Sequence, residues 1–261
     1  MESLGGIMDY LVSEFTDIEK VLINDKTPAY IVTPKDKENV KDTIIFYHGW
    51  SSSARNQIFR ANIFASYGYR VVLPEATFHG ERGNLDYLNM EIVKRYIFEA
   101  IMHNIEEAPA VFKYVKEEFK TADENIIVSG HSMGAITAGG LFSFNKKLKA
   151  ALLFNGSCNW AWMVNKLKEG EEDSYERMRI NDFMLQMDPM THIENIENRP
   201  LAMLNGAEDN VVDPMAQEEF YNLAVNEYNN KNLILFKKYD HTTHQLTTHM
   251  LEDGIRFIKS I

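Results

Sequence analysis

The stretch ENIIVSGHSMGAITAG, residues 124–139, decides how this chain is read. The aliphatic run Ile126-Ile127-Val128 leads into Ser129-Gly130, and small residues dominate from Met133 onward. A buried strand therefore gives way to a closely packed helix within a few positions. Ser132 stands at the corner, with Gly130 and Gly134 two positions to either side. A sharp strand-to-helix turn imposes strained backbone angles on its central residue. Any side chain two positions away would then collide with the neighbouring strand or helix, and glycine removes that clash. Such a corner lifts the Ser132 hydroxyl above the sheet, where the amide end of the next helix favours negative charge. The plainer alternative is a glycine-rich helix start at which Ser132 is only a cap.

The pattern repeats outward from this corner. TIIFYHG (43–49), YRVVLPE (69–75), NIIVSG (125–130), AALLFNG (150–156), PLAMLNG (200–206) and NLILFKKY (232–239) read as buried strands, most ending in Gly or Pro. Helical patterns lie between them. Residues 54–67 put Ile58, Ala61, Phe64 and Ala65 on one face, 88–119 form a long pattern interrupted by Pro109, and 132–144 are rich in small residues. Residues 214–228 open with Pro214, and 246–260 close the chain. Alternating strands and helices imply a mostly parallel sheet with helices on both faces. Near the start, DIEKVLIN and AYIVTP alternate apolar and polar residues, as an antiparallel edge pair would, which brings the sheet to about eight strands. Residues 157–198 are too long for a plain crossover. Their Trp160, Trp162, Met163, Met178, Phe183, Met184 and Met187 suit a small helical lid over an adaptable apolar pocket. The whole of 1–261 is read as one domain carrying this insertion.

A serine hydroxyl becomes a nucleophile only beside a base, and the base needs an orienting acid. Among the eight histidines, His241, His244 and His249 crowd YDHTTHQLTTHM, after the last strand and at the same sheet edge as Ser132. His131 adjoins the serine but should point away, His192 lies in the lid, and His103 sits in the long helix. For the acid, LNGAEDNVVDP follows the preceding strand and offers Asp209, Asp213 and, less centrally, Glu208. Donors for an oxyanion should come from the backbone N–H of Met133 and from the loop YHGWSSS after the first parallel strand, where Trp50 N–H is the choice.

Composition narrows the function classes. The 261 residues fit one large domain, 45% apolar and 25% charged, as in an ordinary soluble protein. Thirty-eight acidic against 27 basic side chains leave a formal charge of -11. That charge opposes binding to nucleic acid and to anionic membranes, and no Lys/Arg-dense block offsets it. Cys158 is the single cysteine, so no intrachain disulfide can form. The opening MESLGGIMDYLVSEF carries no basic region of a secretory signal, and no apolar run has the length of a membrane span. A cytoplasmic location is the expectation.

Four pieces, FYHGW, FHGERG, GHSMG and HQLTTHM, carry a resemblance that runs from about residue 40 to the end. The chain resembles an α/β-hydrolase, and within that superfamily the small bacterial carboxylesterases near the prolyl-oligopeptidase and dienelactone-hydrolase branches. The serine–acid–histidine order agrees. The resemblance implies His244 as the base, because HQLTTHM matches the family's H-x-aliphatic-T-x-x-M. It implies Asp209 as the acid, because GAEDNVV matches G-x-x-D-x-x-V, and leaves Asp213 beside Pro214 to cap a helix. Two departures stand out. Glu75 replaces the Asp often found after the strand VVLP, which bears on loop anchoring. Dienelactone hydrolases proper use a cysteine nucleophile, so their substrate is not implied. In FHGERG, Glu81 and Arg82 are expected to pin a loop by ion pairs, whereas Phe78 and His79 are candidates to line the substrate pocket.

The expectation is a serine esterase that needs no metal or organic cofactor and acts on small to medium esters. Its apolar acyl pocket would be lined by Phe78, His79, Trp160, Trp162, Met163 and Phe183. A second reading is an exopeptidase, with Glu171, Glu172 and Asp173 recognising an amine. The chain is too short to add a propeller, and such a charge run is commonly a solvated face. Two non-enzymatic readings remain. One is a metal site on the histidine cluster, against which His249 falls off the helical spacing of the other two. The other is an inactive hydrolase fold used as a scaffold.

Overall fold

The computed structural model describes residues 13–40, 42–168 and 175–261. Eight strands form one sheet: β1 (Thr16–Ile23), β2 (Thr27–Pro34), β3 (Thr43–Tyr47), β4 (Arg70–Pro74), β5 (Ile126–His131), β6 (Ala150–Phe154), β7 (Leu201–Gly206) and β8 (Ile234–Tyr239). Their spatial order is β1-β2-β4-β3-β5-β6-β7-β8. The first two strands form an antiparallel pair, as their alternation implies, and β2 joins the rest by pairing antiparallel with β4. β1 and β8 are therefore the two edges of the sheet. The remaining neighbours are parallel. The chain order reverses on either side of β3, so β3 and β5 meet at a switch point, the place where open parallel sheets bind ligands beyond their carboxyl ends.

Strand period two divides the core between the two faces. Ile45, Tyr47 and Val128 face α2 (Met90–Phe119), α3 (Met133–Phe144) and α6 (Pro214–Ala224). Ile44, Phe46 and Val71 face α1 (Ile58–Ser66) and α7 (Thr248–Lys259). The four apolar residues expected on one face of α1 are the four it buries. Pro109 does not interrupt α2, contrary to the sequence expectation; the helix is continuous over 30 residues. Pro109 removes one backbone bond, and burial of the flanking Ala108, Val111 and Phe112 against the sheet offsets that loss.

A third apolar cluster sits beside the carboxyl end of β5. Ala76, Phe98, Ile101, Met133 and Ile136 join Trp160, Met163 and Val164 of α4 (Trp160–Lys168) and Met184 of α5 (Tyr175–Gln186). The segment between β6 and β7 is thus helical and packs its apolar residues next to the residue that follows Ser132. Buried Asp188 ties its two ends together by accepting from Trp160 N–H (3.1 Å), Ala161 N–H (2.8 Å) and Met190 N–H (3.0 Å). Glu171, Glu172 and Asp173, the possible amine-binding run, lie outside the described residues.

Candidate active site

Ser132 has φ 55° and ψ −122°, a backbone conformation rarely taken by a residue with a side chain. The adjoining glycines are required by contact. A methyl group on Gly134 would lie 2.0 Å from Tyr47 O, and one on Gly130 would lie 2.3 Å from the backbone of Gly134. Three backbone bonds hold the corner: Ser132 N–H to Phe154 O (2.9 Å), and Ala135 and Ile136 N–H to Ser132 O (2.9 and 3.0 Å). The Ser132 side chain caps nothing, which removes the plain capping alternative. Its hydroxyl is bonded elsewhere.

His244 Nε2 lies 2.7 Å from Ser132 Oγ, and His244 Nδ1 lies 2.7 Å from Asp209 Oδ2. The three residues come from the ends of β5, β7 and β8, three strands whose carboxyl ends share one edge. Asp209 turns its other oxygen inward, where Oδ1 accepts from Val211 N–H (2.9 Å) and Val212 N–H (3.0 Å). Both carboxylate oxygens are thereby fixed, and the side chain is fully shielded from solvent.

The other candidates separate by their surroundings. Asp213 caps α6 by accepting from Met215 N–H at 2.9 Å. Glu208 pairs with His241 at 3.1 Å, but the His241 side chain is 94% exposed against 19% for His244. His249 reaches Glu252 at 3.7 Å on the outer face of α7. His192 bonds to Gln186 O. Among the described residues no three His, Cys, Asp or Glu side chains are grouped as metal ligands would be.

His131 does not simply point away. Its ring packs 5.2 Å from that of His244, and its Nε2 lies 3.3 Å from Asn155 Nδ2. Burial, followed by the neighbouring His244, pushes its pKa down to about 3, so it stays neutral beside the His244 ring. Asn155 was missed from sequence. It belongs to a reciprocal pair: Gly206 N–H donates to Asn155 Oδ1 (2.8 Å), and Asn205 Nδ2 donates to Gly156 O (3.0 Å). The signal was present as an Asn-Gly step at the end of two successive apolar runs, FNG and LNG. The pair locks the carboxyl ends of β6 and β7 together, beneath the loop that carries Asp209.

The HGW loop touches Ser132, since a methyl group on Gly49 would lie 3.2 Å from Ser132 Cβ. Trp50 follows Gly49, and Met133 opens α3 directly after the serine. The Trp50 indole donates to Tyr87 O at 3.1 Å. Of the predicted pocket residues, Phe78 and Trp162 are half-buried against the third apolar cluster. Trp160 (1% exposed) and Met163 (6%) are sealed inside it, and His79 (0%) is enclosed by Trp50, Tyr87 and His48. These three present almost no surface to a ligand, because the helical insertion and the 76–89 loop close over them. Phe183 instead lies in a cleft between α2 and α5 with Met102, His103 and Ile180. Arg82 and Glu81 hold the loop as expected. Arg82 makes two 2.7 Å bonds to Glu107 and one of 2.9 Å to Glu75 O, and Glu81 pairs with Lys20.

Comparison with known proteins identifies the family. The model of the Prolyl oligopeptidase family matches residues 56–260. The YitV protein of Bacillus subtilis (strain 168) is 26% identical over 225 residues, 81% of this chain and 85% of that protein. Esterase YjfP of Escherichia coli (strain K12) is 25% identical over 236 residues, 88% of this chain and 92% of that protein. In fold, the chain is similar to TT1662 from Thermus thermophilus, with a TM-score of 0.77 and 20% identity over 94% of this chain and 97% of that one. No helix among the described residues is long and apolar enough to cross a membrane. The chain belongs to the prolyl oligopeptidase family and is a serine hydrolase built on the α/β-hydrolase fold.

Proposed function

We propose that this chain is a carboxylesterase in which Ser132, His244 and Asp209 form the catalytic triad. The two 2.7 Å contacts from Ser132 Oγ through His244 to Asp209 carry the reading. Ser132 Oγ attacks the ester carbonyl carbon while His244 Nε2 takes the hydroxyl proton. The carbonyl electron pair moves onto oxygen, where Trp50 N–H and Met133 N–H stabilise it. Collapse breaks the bond to the alcohol, which leaves with the proton from His244, and an acyl-serine remains. Water then attacks that acyl group with His244 again as base; collapse breaks the bond to Ser132 Oγ, which takes back the proton from His244 as the carboxylic acid leaves. Asp209 keeps the proton on Nδ1 and stabilises the imidazolium.

Residues 157–198 act as a small helical lid on a single hydrolase domain. The apolar surroundings of Met133, with Trp50, Phe78 and Trp162 at their edge, suit a small to medium apolar acyl group. Ser132→Ala is expected to lower turnover of p-nitrophenyl esters by at least about a thousandfold with the melting temperature nearly unchanged. Wild-type turnover in that variant, or fluorophosphonate labelling that survives it, would remove Ser132 from this role. A panel of acyl esters of graded length, with aminoacyl arylamides added, tests the substrate class; faster cleavage of the arylamides would favour a peptidase.

A further inference from the structure

Two buried titratable side chains lie beside the site and outside the triad. His48 and Glu75 have side chains 0% and 5% exposed, with His48 Nε2 2.9 Å from Glu75 Oε1. His48 Nδ1 lies 2.9 Å from Gly49 O. A carbonyl oxygen only accepts, so Nδ1 carries the proton in that contact. Nε2 accepts from Ala76 N–H at 3.1 Å and lies against Glu75 Oε1 at 2.9 Å. Glu75 is itself fixed, since Oε1 accepts from Ala54 N–H (3.1 Å) and a methyl group on Gly80 would lie 2.2 Å from Oε2.

The Gly49 carbonyl and the Trp50 N–H belong to one peptide group. In a planar trans peptide the two point in opposite directions. Whatever fixes the carbonyl therefore fixes the N–H, and a hydrogen bond to the oxygen also polarises the donor at the other end. A buried polar contact is weak evidence for stability, because desolvation offsets its attraction, whereas it can specify one geometry.

We propose that His48 and Glu75 are positioning residues: a second imidazole–carboxylate pair that aims the Gly49–Trp50 peptide at the substrate oxyanion. This rests on the reading of Trp50 N–H as an oxyanion donor, and it extends the loop-anchoring role expected of Glu75. His48 contacts no substrate and exchanges no proton during turnover. The pair acts at the transition state, where charge develops on the oxygen, and contributes little to ground-state binding.

Three variants test this, with kcat, KM and inhibition by a trifluoromethyl ketone measured on the full chain. His48→Leu removes the donor to Gly49 O and should lower kcat about 30- to 100-fold, with KM within about threefold of wild type. Ketone affinity should fall in proportion to kcat. His48→Asn places an amide nitrogen where Nδ1 stood and should restore at least about tenfold of the loss. Glu75→Gln, which keeps an acceptor for Ala54 N–H, should lower kcat about tenfold at constant KM. The proposal is overturned if kcat is unchanged, if the loss falls on KM, if Asn restores nothing, or if none of the three variants folds. Ser132→Ala in the same assay separates the two readings. Retained turnover there sinks the triad and this proposal together, whereas a dead Ser132→Ala beside an unaffected His48→Leu sinks only the proposal.

Discussion

Asp209→Asn is the sharpest probe of the site, because the structure dictates how the new side chain sits. Oδ1 accepts from two backbone N–H groups, of Val211 and Val212, and an amide nitrogen in that place would face both donors. Asparagine must therefore keep its oxygen there and present Nδ2 to His244 Nδ1, where a carboxylate oxygen stood 2.7 Å away. An amide nitrogen only donates, so Nδ1 has to hold the lone pair and the imidazole proton moves to Nε2. Nε2 faces Ser132 Oγ at 2.7 Å and has then lost its capacity to act as base. Recovering the working tautomer would set two N–H groups against each other in a shielded position. A loss of about 10³ to 10⁴ in kcat is expected, the size found for the equivalent change in a serine protease, or about 4 to 5.5 kcal/mol of transition-state stabilisation. Both backbone bonds to Oδ1 survive, so the melting temperature should move by only a few degrees. The assay is initial-rate hydrolysis of p-nitrophenyl butyrate beside a thermal melt. Asp213→Ala is the internal control, expected to keep its activity while losing about 1 kcal/mol of stability with its helix cap. A kcat for Asp209→Asn within tenfold of wild type would refute the assignment of the orienting acid.

Two further outcomes follow from packing and burial. Gly134→Ala puts a methyl group 2.0 Å from Tyr47 O and 2.7 Å from His48 O, both main-chain atoms of the strand end that leads into the HGW loop. It should cost roughly 3 kcal/mol or more of stability together with most of the activity, and a variant with native melting and native turnover would refute the tight corner. His79 is pushed down to about 4, first by burial and then by the neighbouring His48. Between that value and its unfolded value near 6.5, the unfolded chain binds a proton that the folded chain does not, so this contribution is complete above about pH 6.5 and is lost as pH falls toward 4. The unfolding free energy from urea titrations of wild type should fall with acid through that window. In His79→Leu the slope should be shallower by up to about 1.4 kcal/mol per pH unit, and identical slopes would show that His79 is not held neutral.

What could be read from sequence and what could not divide along physical lines. A strand buried on both faces must be aliphatic throughout, so β3 to β7 announce themselves, and a clash-driven glycine pair announces the corner at Ser132. The choice among His241, His244 and His249 has no such local cause. All three fit the same stretch, and only the fold turns His241 outward on a left-handed φ of 55° while His244 turns in. Motif likeness pointed to His244, but spacing alone did not. Pro109 was misread because a local rule on helix interiors was outweighed by tertiary burial. Trp160 was misread because an aromatic residue in an insertion suggests a pocket lining, and nothing in the sequence shows that Gly140 leaves room for its ring to sink. The role of Glu75 was half legible: anchoring could be guessed, but its partner His48 lies 27 positions earlier and meets it only because β3 and β4 are neighbours.

The site joins two kinds of restraint that should fail in different ways. Ser132 is strained, and its strain is borne by main-chain contacts: the bond to Phe154 O, the two helix bonds to its own carbonyl, and the glycines that admit Tyr47. Asp209, His244, His48 and Glu75 are instead aimed by side-chain hydrogen bonds that leave the main chain where it is. A change that crowds the corner has to displace a central strand, so activity and stability fall together. A change that reverses one donor or acceptor leaves the sheet intact and strikes the transition state alone. Catalytic loss in Asp209→Asn without thermal loss, beside joint loss in Gly134→Ala, is therefore the pattern this architecture requires. The opposite pattern would mean that the corner is soft and that the polar side chains hold the fold.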